Sequence, residues 1–418
     1  MKGSKIKCFF AFLLLLFALL LFYPYEITAV YPFLYPSGSL TWVAISFVIF
    51  TGVFVLFRNK KIRHLPKKIF LLTIIQLVGY LLSFLSQGKF GAFLYQLLLT
   101  AQYLLLLFCV FNTTGFIYFF KKYNIWILIM AVCGTIAWAL TEFKGFGPLY
   151  FVVDQTDTER NLYNYILTFS VHDSTTTAMR YAGFFDEPGA MANWGLFALL
   201  INKLFVKSKK IEIPLIISLL FTFSMGFYAQ LILYFLFFYT NKKNRGLGIA
   251  LLIGIVLFVS VLKNIGETDE NGIYYKSIGR IERILDEAND SNKVASLDSR
   301  SEVSSTALEA FLENPLFGSN KDEYLGDNIF EPLAMYGIIG SLFIYAPFFW
   351  LLISSIRRKD KQMLKVMIII FVGFLHRPFH RTLLWAFVLY SIIAMYILYR
   401  GGDLINSKPR KPCPEEGK

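Results

Sequence analysis

Cysteine is nearly absent from this chain, with four in 418 residues. Cys8, Cys109, Cys133 and Cys413 fall in apolar runs or in the C-terminal tail. No structural disulfide and no cysteine-built metal site is therefore expected in the polar loops. Nucleotide motifs are missing too. There is no P-loop, no GxGxxG between strand and helix, no HExxH, and no DxD in a soluble domain. A nucleotide-dependent enzyme or primary pump is not expected on that account. Internal repeats, low-complexity tracts and a separate soluble domain are also lacking. Acid is scarce, with 28 Asp and Glu against 41 Lys and Arg. That excess invites a nucleic-acid reading, which the placement of the charges removes.

Apolar residues are abundant: 56% of the chain is hydrophobic, and its mean hydropathy is +0.55. A soluble fold has too little interior to hide this much. Apolar runs of roughly 17–25 residues, the length that crosses hydrocarbon, recur from end to end. The pattern predicts an all-α, polytopic integral membrane protein, one membrane domain over residues 1–418 with about 12 transmembrane helices. The predicted spans are 8–23, 39–57, 69–86, 92–111, 124–141, 189–206, 211–223, 227–240, 247–262, 332–353, 364–376 and 382–399. The first run follows Lys2, Lys5 and Lys7 like a signal peptide. It lacks a small-x-small cleavage site and is read as a span.

With the N-terminus inside, the inner segments and adjoining span ends hold 28 Lys/Arg and 5 Asp/Glu, and the outer ones 13 and 23. This is the positive-inside asymmetry. The basic excess reports topology and contact with anionic lipid, so nucleic acid is not an expected partner.

Two outer segments are long: 142–188 and 263–331. Long polar loops on one side of a membrane domain are the default place for chemistry. The second should carry amphipathic helices. Ile278, Ile281, Ile284, Leu285 and Ala288 share one helical face, and so do Val303, Ala307, Leu308 and Phe311. Asp298 or Ser299 caps the second helix, and Asn314-Pro315 stops it.

Two apolar runs are divided in the middle. Ile213–Tyr239 contains Ser224-Met225-Gly226 and is flanked by lysines at both ends, so a hairpin of two short helices with Ser224 at an outer tip is predicted. Met363–Arg400 is divided by HRPFHR, His376 to Arg381. Non-helical backbone at that depth requires a polar cavity, so the tips and long loops should share one outward-facing cavity.

Three constellations can carry chemistry. In RYAGFFDEPG, Arg180 offers a planar fork suited to phosphate oxygens. Asp186 or Glu187 can take a proton from a hydroxyl, Gly183 permits a bend, and Pro188 suits a first helical turn. The plainer reading is a surface ion pair. In HRPFHR, the cations His376, Arg377, His380 and Arg381 stand where outer arginine is disfavoured, which favours a use such as diphosphate binding. The plainer reading is snorkelling to headgroups. Metal is the weaker reading there, with no acidic or cysteine partner fixed beside the histidines. At the end of the second loop, Asp327 and Asn328 precede a span, where helix capping explains them well. Gly337 and Gly340 suit close helix packing. Arg300 beside a helix start and Ser224 at the hairpin tip complete the candidates. His172 reads as structural.

RYAGFFDEPG, SRSEVSSTALEAFLENPLFG, DNIFEPLAMYGIIGSLFIY and TFSMGFYAQLILYFL, in that topology, resemble the loops of the bacterial O-antigen and capsular polysaccharide polymerases, in the O-antigen ligase–polymerase superfamily. The likeness covers roughly residues 120–400. It departs where Asp327 stands in place of a common His, and where Met225 follows the hairpin Ser in place of an Arg. The resemblance implies a glycosyltransferase of the bacterial cytoplasmic membrane, N- and C-termini cytoplasmic. It joins polyprenyl-diphosphate-linked oligosaccharide repeats into capsule or lipopolysaccharide chains, with no cofactor, metal or nucleotide. A chain-length regulator protein is a further implied partner. Glu187, Asp186 and Arg180 would be catalytic. Arg300, Asp327, Asn328, His376, Arg377, His380, Arg381 and Ser224 would bind substrate. The rival readings are a ligase-like glycan transferase, which a His at position 327 would favour, and a lipid-linked oligosaccharide flippase or transporter, which polar residues through the spans and a repeat would favour.

Overall fold

The computed structural model describes residues 65–110, 113–153, 161–165, 168–172, 180–183, 185, 187–240, 298–319, 328, 330–376 and 383–398, with isolated helical positions at 246, 249, 253, 254 and 257. The predicted spans 8–23 and 39–57, most of span 247–262, and the predicted helix around Ile278–Ala288 lie outside the described residues.

The described chain is mostly helical. Its helices are α1 Lys67–Ser86, α2 Phe90–Val110, α3 Thr113–Lys144, α4 Pro188–Ile201, α5 Lys209–Leu220, α6 Met225–Tyr239, α7 Asp298–Glu313, α8 Glu331–Ile344, α9 Ala346–Arg357, α10 Lys361–His376 and α11 Leu383–Leu398. Among the described residues, Lys67–Ser86, Gly115–Thr141 and Pro188–Val206 are long and apolar enough to cross a membrane. The pair α8 and α9, bent by 42°, is a fourth.

The first long loop corrects the all-α expectation. It holds a four-stranded antiparallel sheet in the order β1-β2-β3-β4, from strands Tyr150–Val153, Asn161–Tyr165, Thr168–His172 and Tyr181–Gly183. These strands are rich in Tyr, Phe, Val and Thr, residues that fit a pleated surface. β3 and β4 pack against α3, and β4 also against α4.

The α5–α6 hairpin is present. Glu212, at the start of α5, accepts hydrogen bonds from Tyr234 and Tyr239 of α6, each 2.5 Å. A continuous helix would hold Glu212 and Tyr239, 27 positions apart, about 40 Å from each other. α7 also forms as expected, between Asp298 and the Asn314-Pro315 stop. Its Ala307 and Ala310 pack on Ala334 of α8, with Phe311 beside them.

Gly340 packs closely, against Ser83 of α1. Gly337 does not pair with it. It breaks α8 with φ 63° and ψ −175°, a backbone open to glycine and costly for other residues. The chain after α7 fills the break. Ile338 and Ile339 donate their amides to the Pro315 and Leu316 carbonyls at 2.8 and 3.2 Å. Gln87, the C-cap of α1, donates to the Phe317 and Met335 carbonyls at 3.0 and 2.6 Å. Backbone groups freed by the break are thereby satisfied.

Two connections lie below the ends of the long helices. Thr135 Oγ1 on α3 donates to the Ser218 carbonyl near the α5 end, 3.3 Å, and the Trp138 and Phe221 rings sit 4.6 Å apart. Beyond Trp138, α3 runs on to Lys144, about 9 Å further. Phe374, near the end of α10, lies 5.5 Å from Tyr345 and 5.0 Å from Phe348. The adjoining Phe343 and Ile344 meet Gly79 of α1, and α1 continues to Ser86, about 10 Å further. On the side that carries the sheet, the α5–α6 tip therefore stops short of the end of α3, and the end of α10 stops short of the end of α1.

Candidate functional site

The α5–α6 tip begins with a local problem. The last carbonyls of a helix have no partner within it, and this end is buried: Thr222, Phe223 and Ser224 are all shielded. Donors from several elements meet it. The Tyr181 hydroxyl from β4 donates to the Ser218 carbonyl at 2.5 Å, and the Tyr228 hydroxyl from α6 to the Leu220 carbonyl at 2.6 Å. Arg180 donates from Nε to the Thr222 carbonyl at 3.3 Å and from Nη2 to the Phe223 carbonyl at 3.2 Å. Burial pushes the Tyr181 phenol well above its ordinary range, which keeps it a donor.

Phe223 takes φ 52°, a left-handed conformation that costs a non-glycine residue about 1–2 kcal/mol. The fork of Arg180 holds that carbonyl in place, so the first candidate residue is also part of the tip's architecture. These two bonds, from Nε and Nη2, fix the plane of the fork. Ser224 is the N-cap of α6, its Oγ accepting from the Phe227 amide at 3.4 Å. The sequence-predicted Arg180 and Ser224 are thus brought together on one tip.

Glu187 is half-buried and stands as the N-cap of α4, with Pro188 at the first helical position. Its side chain makes no capping bond to the helix. The Gly183 bend is present at φ 62°, with Met191 of α4 packed against it. Phe185 carries the loop into the bundle. It lies 6.3 Å from Trp194, Trp194 lies 5.4 Å from Phe197, Phe197 lies 5.4 Å from Trp385, and Trp385 lies 4.9 Å from Phe374. These rings, buried but for the partly exposed Phe374, link the Arg180–Glu187 loop to both helices that flank HRPFHR.

The other candidates divide. His376 is the last residue of α10, and Arg300 lies in the first turn of α7. Asn328 Oδ1 accepts from the amides of Phe330 and Glu331 at 2.9 and 3.1 Å. These bonds form a turn that leads into α8, whose N-cap is Phe330. Asp186, Asp327, Arg377, His380 and Arg381 lie outside the described residues. Among the described residues, no group of three or more His, Cys, Asp or Glu is placed to hold a metal ion.

One charged cluster escaped the sequence reading. At the opposite end of the α5–α6 hairpin, the Lys203 ammonium lies 3.1 Å from Glu212 and 4.1 Å from the centre of the Tyr239 ring. Lys203 belongs to a π-helical turn, Asn202–Val206, that ends α4. Glu212 is the sole acid between Asn202 and Tyr239, a signal present in the sequence but read there only as charge. Removing one partner of a buried pair strands the other, at about 3–5 kcal/mol. Glu212→Leu is therefore expected to lower the thermal unfolding midpoint of the purified protein sharply. An unchanged midpoint contradicts a structural role for the pair.

No protein-family model matches the chain, and no curated protein matches it.

Proposed function

We propose that this protein is a membrane glycosyltransferase that polymerises polyprenyl-diphosphate-linked oligosaccharide repeats at the outer face of a bacterial cytoplasmic membrane. The observation that carries the reading is the recessed sheet-side site, where the Arg180 fork is fixed on the hairpin tip and the same loop leads through Glu187 into α4. A lipid-anchored substrate keeps its chain in the bilayer and its diphosphate near headgroup depth, where a recessed cation can reach it. In the reaction, an acceptor sugar hydroxyl attacks the anomeric carbon of the donor chain. The bond from that carbon to the diphosphate oxygen breaks, and polyprenyl diphosphate leaves with the electron pair. Glu187 takes the hydroxyl proton. Arg180, with Arg377 and Arg381, holds the departing charge, and Arg300, His376 and His380 add further substrate contacts.

The flippase reading would draw on polar groups within the helices. Tyr103 bonds Thr73 at 3.3 Å and Tyr390 bonds Gln76 at 3.0 Å, so these groups tie α1, α2 and α11 together. The functional test is the polysaccharide ladder in cells: deletion of the gene should leave single repeat units. Long chains that persist unchanged contradict the reading.

The same reading sets about twelve crossings with both termini inside. Reporter fusions after Asp154 and after Asp290 should read outside, and one after Lys408 inside. An inside signal at Asp290 removes the second long loop from the outer face, and the common cavity with it.

A further inference from the structure

Inside the same site, three helices bring neutral polar groups to one place. Asn193 on α4 is 7% exposed, Gln230 on α6 is 4% exposed, and Gly373 belongs to α10. A side chain at Gly373 would collide with Nε2 of Gln230 and lie 3.4 Å from Oδ1 of Asn193. The Gln230 carboxamide therefore occupies the room that the glycine leaves, with the Asn193 carboxamide beside it. Gln230 donates to the Ile369 carbonyl at 3.3 Å. Nδ2 of Asn193 is buried, and no hydrogen-bond partner meets it among the described residues. A buried amide donor without a partner is uncommon in folded proteins and calls for an explanation.

Its position supplies one. Asn193 is about 8 Å from the start of α4, Gln230 about 8 Å from the start of α6, and Gly373 about 5 Å from the end of α10. All three sit about one to two turns from candidate elements: Glu187 at the start of α4, Ser224 at the start of α6, and His376 at the end of α10. Carboxamides carry no charge and offer donor and acceptor side by side, the match for sugar hydroxyls. The guanidinium of Arg180 is the match for phosphate.

We propose that Asn193 and Gln230, seated against Gly373, form the saccharide-binding floor of this site. In it Nδ2 of Asn193 donates to an oxygen of the sugar that adjoins the diphosphate. The inference rests on the glycosyl-transfer reading and adds to it the residues that recognise the sugar. Sites built to hydrogen-bond a substrate discriminate strongly, because an unfilled polar group stays unpaired.

The test uses the purified full-length chain with a polyprenyl-diphosphate-linked oligosaccharide. Affinity is read from the ligand-induced rise in unfolding temperature, and transfer from the ladder. Asn193→Leu removes both polar atoms at similar volume. It should fold with an unchanged or higher unfolding temperature, because no partner is lost, and should bind about tenfold or more weakly, the loss expected for a missing substrate hydrogen bond. Asn193→Ala, which adds no bulk, should show the same weakening and guards against a packing artefact. Wild-type affinity and transfer in either folded variant overturns the proposal and leaves the glycosyl-transfer reading standing; the amide then faces only an internal water. A wild-type chain that neither binds nor transfers the substrate overturns both.

Discussion

Glu187→Gln protein is expected to insert, fold and yield only single repeat units. A sugar hydroxyl is a poor nucleophile, and a positioned base contributes about 10²–10⁴-fold to such a step. Gln keeps the length and hydrogen-bonding capacity of Glu but cannot accept the proton. The fold should tolerate the change. The Glu187 side chain does not cap α4, and Pro188 and the backbone define the helix start. The measurement is the polysaccharide ladder beside the amount of protein in the membrane. Normal chains from Glu187→Gln, with loss in Asp186→Asn, move the base to Asp186. Normal chains from both leave His172, His376, His380 or Asp327 for that role and make the acidic loop structural.

Arg180→Lys should polymerise almost as poorly as Arg180→Ala. A charge-assisted hydrogen bond is worth about 1.5–3 kcal/mol, so losing one in the transition state costs roughly ten- to a hundredfold in rate. Lysine keeps the charge and loses the fork, which here bonds two successive carbonyls through Nε and Nη2. A lysine ammonium has no fixed plane with which to span them and also face a diphosphate. The same substitution loosens the strained Phe223 tip, so unfolding temperature must be measured beside rate. Normal polymerisation by Arg180→Lys, with protein present in the membrane, contradicts bidentate diphosphate binding at this residue.

What the sequence made legible follows from one-dimensional signals. Helices α1, α2, α5, α6, α10 and α11, and α4 with its π-helical turn, fall on the predicted apolar runs within a few residues, whereas α3 begins well before its run and the single predicted span 332–353 is the bent pair α8 and α9. The α5–α6 hairpin was readable from lysines at both ends of one long run. The sheet was not, because its strands are three to five residues long and lie in a segment that reads as polar loop. The Gly337 break was hidden, since GxxG spacing serves close packing and kinks alike. The structural role of Arg180 was hidden for a different reason. Its partners, the Thr222 and Phe223 carbonyls, are backbone atoms about 40 residues away, and no side-chain pattern announces a carbonyl. For Asn328 the geometry displays a local turn into α8, whose N-cap is Phe330.

The most direct measurement is reconstitution of the chain in lipid vesicles with a polyprenyl-diphosphate-linked repeat unit as sole substrate, chelator present and nucleotide omitted. The proposed function predicts a ladder whose rungs differ by one repeat, with one polyprenyl diphosphate released for each bond formed. Substrate that remains as single repeats, or that crosses the bilayer without growing, contradicts it.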